Sequence, residues 1–507
     1  MSRLSSWGSS RGVAILLGGL AGSLGVTAAS AQVTADAPTT GDDTAPLPVP
    51  DDLTRAQPGG VTADQAGERA AKTSWSARAS MENLRGAGAR VDEAFAAFLP
   101  RLSATGKYTR LSNFTAPSLF SFPGNLVVTG PGPAGPVTPA EVAAGGLQSY
   151  PANFSFPFFL VNNWLFQATI SIPISDYLLR TDEAYTAATR SQDAARWDVV
   201  TARAASEANG RIAYYTWLNA RGAVVVAVQA LNDQKTHVRD ARNQFAAGNA
   251  SKADVLRAET AMASAELALE RAKNLSDLSE KQLRVAMHAP EGETLLPGEN
   301  LESLAPPVQG NLQQMTLEAL SSRPEVKSAD ASAEAAHGQA QALKASRYPS
   351  LSAFGDGILG NPNPRYIPPT AAWNTTWDVG AQLTWSPNDV LTTNGSVRDL
   401  ESQVAAIQAN KNVTRDNIEV EVTQMLQAVR EADFSIDTSA RELASAQEAY
   451  RVQRELFING RGTSTTLADA ESDLTRARLD LLNAKVASRT ARIRLGHALG
   501  RDARSAP

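Results

Sequence analysis

The 507-residue sequence contains no cysteine, which removes disulfide scaffolds, thiolate nucleophiles and iron–sulfur ligands together. Its four histidines, His237, His288, His337 and His497, lie far apart without ligand spacing, so a zinc or copper site lacks a donor set. The six methionines do not cluster. Neither sign of charge dominates: 47 Lys+Arg against 52 Asp+Glu gives a net charge of -5, which argues against nucleic acid as a partner. No nucleophile elbow, phosphate loop or pair of acids in an expected cleft is present, so neither an enzyme nor a cofactor is expected. What is present is 43% hydrophobic residues, enough for a sizeable buried surface, and a length that by itself suggests about three or four domains.

The amino terminus reads as an export signal. Arg3 and Arg11 precede the apolar run Val13 to Val26, and Ala29-Ser30-Ala31 before Gln32 offers small residues to a signal peptidase. Glycines interrupt the run, which is short for a membrane span, and no later stretch approaches the roughly 18 apolar residues of a spanning helix. Residues 1–31 are therefore expected to be a signal peptide and 32–60, rich in Thr, Asp, Pro and Ala, a solvated, disordered leader. Without a cysteine at the cut, no lipid anchor is expected.

The rest of the chain is duplicated. Pro100-Arg101-Leu102-Ser103-Ala104-Thr105-Gly106 recurs as Pro349-Ser350-Leu351-Ser352-Ala353-Phe354-Gly355, and Trp164, Ala168, Asp176 and Leu178 recur as Trp377, Ala381, Asp389 and Leu391. Phe245-Ala246-Ala247-Gly248 with Ser251 returns as Phe457-Ile458-Asn459-Gly460 with Thr463. Repeat 1 is placed at 61–290, with a helix, a β-hairpin at about 100–174 carrying a long external loop, a long helix 175–247, a turn 248–251 and a returning helix 252–289. A linker, 291–325, precedes repeat 2 at 326–500: a helix, a hairpin at about 349–387, a long helix 396–459, a turn 460–463 and a returning helix 464–498; 501–507 is a tail. The second long helix is expected from the absence of Gly and Pro between Ser396 and Asn459.

Each returning helix carries a heptad. Leu467/Ala470, Leu474/Ala477, Leu481/Ala484, Ser488/Ala491 and Leu495/Ala498 take a and d spacing, matched by Val255/Ala258, Met262/Ala265, Leu269/Ala272, Ser276/Ser279 and Leu283/Ala286. Antiparallel coiled-coil arms are expected, with alanines letting the facing backbones approach closely. Strands are expected around Leu102–Tyr108, Trp164–Ile174, Leu351–Ile358 and Trp377–Trp385, with apolar residues alternating in Phe166, Ala168, Ile170 and Ile172 and in Val379, Ala381, Leu383 and Trp385. Phe154, Phe156, Phe158 and Phe159 precede Trp164, and Trp373, Trp377 and Trp385 cluster in the second copy. Aromatics at strand ends suit the girdle of an outer-membrane barrel, and four strands cannot close one alone.

The duplicated order, the Pro-x-Leu-Ser-Ala-x-Gly strand entries, the Phe-x-x-Gly-x-x-Ser/Thr turns and Ala319-Leu320-Ser321-Ser322-Arg323-Pro324-Glu325-Val326 resemble the TolC family of outer-membrane efflux proteins over roughly residues 60 to 500. The resemblance implies a mixed α and β membrane protein: a homotrimer in the outer membrane, each chain giving four transmembrane strands to a shared twelve-stranded barrel continuous with an α-helical coiled-coil tunnel across the periplasm. It implies a passive exit duct for a tripartite efflux pump or a type I secretion system, working with a periplasmic adaptor and an inner-membrane transporter and contacting outer-membrane lipid. Gly248-Asn249-Ala250 and Gly460-Arg461-Gly462 would be the adaptor-docking turns, and Asp254, Asp469, Thr466 and Phe457 would stand at the pore aperture. Residues 290 to 325 would join an equatorial collar. Thr466 replaces an acid of some relatives, Gly462 a latching arginine and Phe457 a tyrosine, so a polar latch is not expected. Ser251 with Asp254 also forms a capping-box pattern. The alternative class is a soluble periplasmic coiled-coil scaffold, which has no need of aromatic hairpins.

Overall fold

A computed structural model of the chain describes residues 45–48, 55–112, 121–128, 148–155, 160–301, 303, 306–367 and 369–504. The signal peptide, most of the leader, and Phe156, Phe158 and Phe159 lie outside the described residues.

Two rods dominate. Helix α3, Asp182–Ala246, has 65 residues and is about 98 Å long at 1.5 Å per residue. Its repeat-2 counterpart α7, Pro387–Ile458, has 72 residues and is about 108 Å long. It starts well before the expected Ser396: Pro387 occupies the first turn, where a missing N–H costs nothing, and Gly395 is carried inside the helix at a cost of about 1 kcal/mol. Each rod turns back into a shorter helix, α4 (Lys252–Met287) after α3 and α8 (Ser464–Ala498) after α7. The heptad stripe is the buried stripe: α8 buries Leu467, Ala470, Leu474, Ala477, Ala484, Ser488, Ala491, Leu495 and Ala498, and α4 buries Val255, Ala258, Leu269, Ser279 and Leu283.

The remaining helices form a middle belt. α1 (Ala63–Thr73) and α2 (Trp75–Ala96) pack on α3, while α5 (Leu312–Ser322) packs on α7 and α6 (Pro324–Lys344) lies against both rods. One belt core gathers Tyr214, Trp217, Leu218, Leu283, Met287 and Leu301. A second gathers Met315, Ala319, Val422, Leu426, Leu495 and Leu499. Arg489 ties the linker down, donating to the carbonyls of Asn300 (2.9 Å) and Ser303 (2.6 Å). The leader is not wholly solvated. Asn232 on α3 accepts from the Leu47 N–H (2.7 Å) and donates to the Leu47 carbonyl (2.8 Å), and the Gln57 N–H donates to the Pro297 carbonyl (2.7 Å).

At the far end of the rods lies a four-stranded antiparallel sheet in the order β1-β4-β5-β6, comprising β1 (Arg101–Arg110), β4 (Asn162–Ile172), β5 (Ser350–Asn361) and β6 (Asn374–Thr384). The repeats meet along β4 and β5, with Thr169 opposite Asp356. β4 stops at Ile172 because Pro173, with no N–H to give a ladder, caps the following turn. Within the external loop, β2 (Ser121–Val128) and β3 (Gln148–Ser155) form a separate hairpin that the sequence reading lacked.

Register sorts the side chains by face. Leu102, Ala104 and Tyr108 stand beside Ile170, Ala168 and Trp164. Ile170 and Phe166 in turn neighbour Gly355 and Leu359, which lead to Val379 and Thr375. Leu102, Trp377, Val379 and Leu383 are each at least 68% exposed. The opposite face carries Ser103, Thr105, Lys107, Gln167, Thr169, Asp356, Asp378 and Gln382. Gln167 and Thr169 both donate to Asp356. Strands of 10 to 12 residues that are apolar and aromatic on one exposed face and polar on the other have the pattern of a bilayer-crossing sheet. Among the described residues no helix is long and apolar enough to cross a membrane.

Candidate functional site at the helix turns

Both rods reverse with the same backbone. In the first turn Gly248 has φ of +77° and its N–H reaches the Phe245 carbonyl (3.0 Å), while the N–H groups of Asn249 and Ala250 converge on the Gln244 carbonyl. In the second, Gly460 has φ of +66° and its N–H reaches Phe457, while those of Arg461 and Gly462 converge on Leu456. The left-handed conformation at the residue past a helix end is one that glycine adopts without a Cβ penalty, so the repeated glycine fixes the repeated turn. Gly248, Asn249, Gly460 and Arg461 are exposed.

The returning helices begin differently. Ser251 caps α4 by accepting from the Asp254 N–H (3.3 Å), and the Asp254 carboxylate accepts from both the Ser251 N–H (3.0 Å) and its hydroxyl (2.6 Å). These bonds hold the Asp254 carboxyl below its ordinary range, and Arg257 lies 3.2 Å away. Thr463 caps α8 by accepting from the Thr466 N–H (3.2 Å), with the Thr466 hydroxyl turned back to the Thr463 carbonyl (2.9 Å). Asp469 has no part in capping. With Thr466, Asp473 and Glu442 it lines a groove between α7 and α8.

The two turns are stitched together. Gln244 donates to the Ile458 carbonyl, Arg454 on α7 bonds Asp240 on α3 (3.0 Å), and Arg257 on α4 reaches the Thr465 hydroxyl (3.4 Å). Just above them a core of Val238, Ala241, Val255, Ala258, Phe457 and Leu467 closes the tip. Phe457, expected at an aperture, is 4% exposed and sits inside this core with its ring edge-on to His237. Its apolar ring gains more from burial than from facing water. The sequence reading also passed over His237 and Glu471, which pair inside the tip at 3.0 Å. Glu471 follows seam residue Leu467 by four positions, the one hint of burial in its spacing. Among the described residues no group of three or more His, Cys, Asp or Glu could hold a metal ion.

A family model described as outer membrane efflux protein matches residues 160–287 and 316–501, more than half of the chain. The chain belongs to the outer membrane efflux protein family. The TolC-family resemblance read from the sequence stands, and the protein is an outer-membrane efflux channel rather than an enzyme or a soluble scaffold. The fold agrees. The outer-membrane channel OprN superposes with a TM-score of 0.66 at 16% identity, over 90% of this chain and 99% of that one. The Campylobacter jejuni CmeC outer membrane channel gives 0.65 at 15% identity over 90% and 92%. The open state of the Neisseria gonorrhoeae MtrE channel gives 0.65 at 16% identity over 86% and 88%. No curated protein matches the sequence. In this efflux channel the sheet and the helical turns lie at opposite ends of the rods.

Proposed function

We propose that three copies of this efflux channel assemble into one duct, each giving β1, β4, β5 and β6 to a twelve-stranded barrel above a shared helical tunnel. One observation carries the reading: the sheet is apolar on its exposed face, and its outer strands β1 and β6 each pair on one side only among the described residues. A closed barrel needs about eight strands or more, so four must find partners in other copies, and a twelve-stranded barrel takes three chains. The duct is passive and serves a tripartite efflux pump or a type I secretion system. A periplasmic adaptor docks on Gly248-Asn249-Ala250 and Gly460-Arg461-Gly462, the most projecting part of the rods, and an inner-membrane transporter chooses the cargo.

Asp469 and Thr466 border the aperture, and the charge of Asp469 raises the local concentration of cations there. Asp254 is committed to its turn, so the pore charge falls mainly on the second copy. Single-channel conductance in planar bilayers tests this: Asp469→Asn should lower cation conductance, and an unchanged conductance would remove Asp469 from the pore. Heat-modifiable trimers in outer-membrane fractions are expected for the assembly, and recovery as a monomer would overturn it.

A further inference from the structure

A proton-accepting pair lies buried where the two coiled coils meet. His237 on α3 and Glu471 on α8 have side chains 1% and 2% exposed, and imidazole Nδ1 lies 3.0 Å from Glu471 Oε2. Gln234 donates to that same oxygen (2.9 Å), Ser464 Oγ lies 3.2 Å from His237 Nε2, and the Phe457 ring covers the imidazole edge-on. The second carboxylate oxygen, Oε1, is buried with no hydrogen-bond partner among the described residues.

The surrounding charges are already matched. On α3, Asp233 meets Arg478 of α8 at 2.8 Å and Asp240 meets Arg454 of α7 at 3.0 Å. On α4, Asp254 is held by Ser251 and Arg257. On α7 the Tyr450 phenol is pushed above its ordinary value, chiefly by burial, and stays neutral. The proton between His237 and Glu471 is thus the one whose loss would leave a buried carboxylate without a counter-charge. The Ser464 hydroxyl can donate to or accept from Nε2, so it serves the imidazole in either protonation state.

We propose that His237 and Glu471 form a proton-operated clasp between α3 and α8, sharing one proton while the arms are closed and releasing it when they part. The sign follows from burial. Desolvation pushes the Glu471 carboxyl above its ordinary range, opposed by its bond to His237, whereas in separated arms that carboxyl regains its ordinary value near 4.3. Closure therefore takes up a proton. The clasp is strongest at mildly acidic pH and weakens as pH rises through the raised value. Its consequence for gating rests on the duct reading; the linkage between protonation and contact does not.

Hydrogen exchange read by mass spectrometry on the full-length protein in detergent, corrected for intrinsic rates, tests the clasp. Amides of 232–241 and 464–474 should open severalfold more readily at pH 8 than at pH 6, with a slope no steeper than about tenfold per pH unit, the limit for one proton. Glu471→Gln keeps an acceptor for His237 and should flatten the dependence. No pH dependence in the unaltered protein, which needs no variant to fold, overturns the proposal, as does dependence retained in Glu471→Gln. Conductance should rise with pH alongside the exchange. If exchange responds and conductance does not, the clasp stands and its role in gating falls.

Discussion

The two turns at the tip have one backbone and two chemistries. Each ends its rod at a left-handed glycine and converges two N–H groups on one carbonyl, Gln244 in the first copy and Leu456 in the second. The first then begins its returning helix with a reciprocal cap that consumes the Asp254 carboxylate, the second with Thr463 and Thr466, which consume none. The first turn therefore spends its acid on local order, while the second leaves Asp469 exposed beside the groove between α7 and α8. A duplicated element has kept its shape and changed what its carboxylates touch.

The shared backbone is the feature with the largest expected effect when broken. Neither Gly248 nor Gly460 has any atom within 4 Å of where a Cβ would lie, so an alanine would meet no clash and only the left-handed conformation would resist it. Gly248→Ala and Gly460→Ala should each destabilise their turn by about 1–2 kcal/mol, read as a roughly 5- to 30-fold rise in hydrogen exchange at 246–251 or 458–463. Unequal costs would mean that the turns are less alike than their hydrogen bonds indicate.

The caps come next. Ser251→Ala removes the acceptor for the Asp254 N–H and one donor to its carboxylate, and should cost about 1–2 kcal/mol at the start of α4. Thr463→Ala loses the bond from the Thr466 N–H and a neutral contact with the Thr466 hydroxyl (3.2 Å), with no carboxylate involved, and should cost about half as much at the start of α8, at the low end of the range for such caps. Equal costs in the two exchange profiles would erase the contrast.

What could be read in advance follows the same division between periodic and pairwise features. The heptad stripe, the turn glycines and the alternation of Val379, Ala381 and Leu383 are periodic, and each position repeats what its neighbours say. The start of α7 was missed because Gly395 looks like a break, though a long helix absorbs one glycine. The β2–β3 hairpin was missed because Pro123 and Pro151 argue against strands, and a two-stranded ribbon leaves an open edge for them. The burial of Glu471 depends on His237, more than two hundred residues away, and the burial of Phe457 on the same partner. No local pattern carries such a pairing.

Acid should separate the turns more gently than Ser251→Ala, since it removes only the carboxylate half of the cap. The Asp254 carboxyl lies below its ordinary value, so its contribution is complete above that ordinary value, about 3.9, and is lost as pH falls through the lowered one. Intrinsic-rate-corrected exchange at 251–255 should hold steady from pH 8 to about 5 and rise below about 4, while the cap at 463–467 has no carboxylate to lose and should show no such rise on the acid side of pH 5.

The smallest effect is expected from converting one turn into the other. Thr466→Asp gives the second copy the acid of the first, with Thr463 in place of Ser251 as its partner. The backbone needs no adjustment, because the Thr463 side chain already accepts from the residue 466 N–H. A gain of a few tenths of a kcal/mol in protection at 463–467 is expected, small because the exposed cap competes with water. The charge it adds beside Asp469 should raise cation conductance at the same time, so one substitution reads both halves of the comparison. A gain in protection with unchanged conductance would place residue 466 on the turn but off the pore, and the division of labour between the copies would then rest on Asp469 alone.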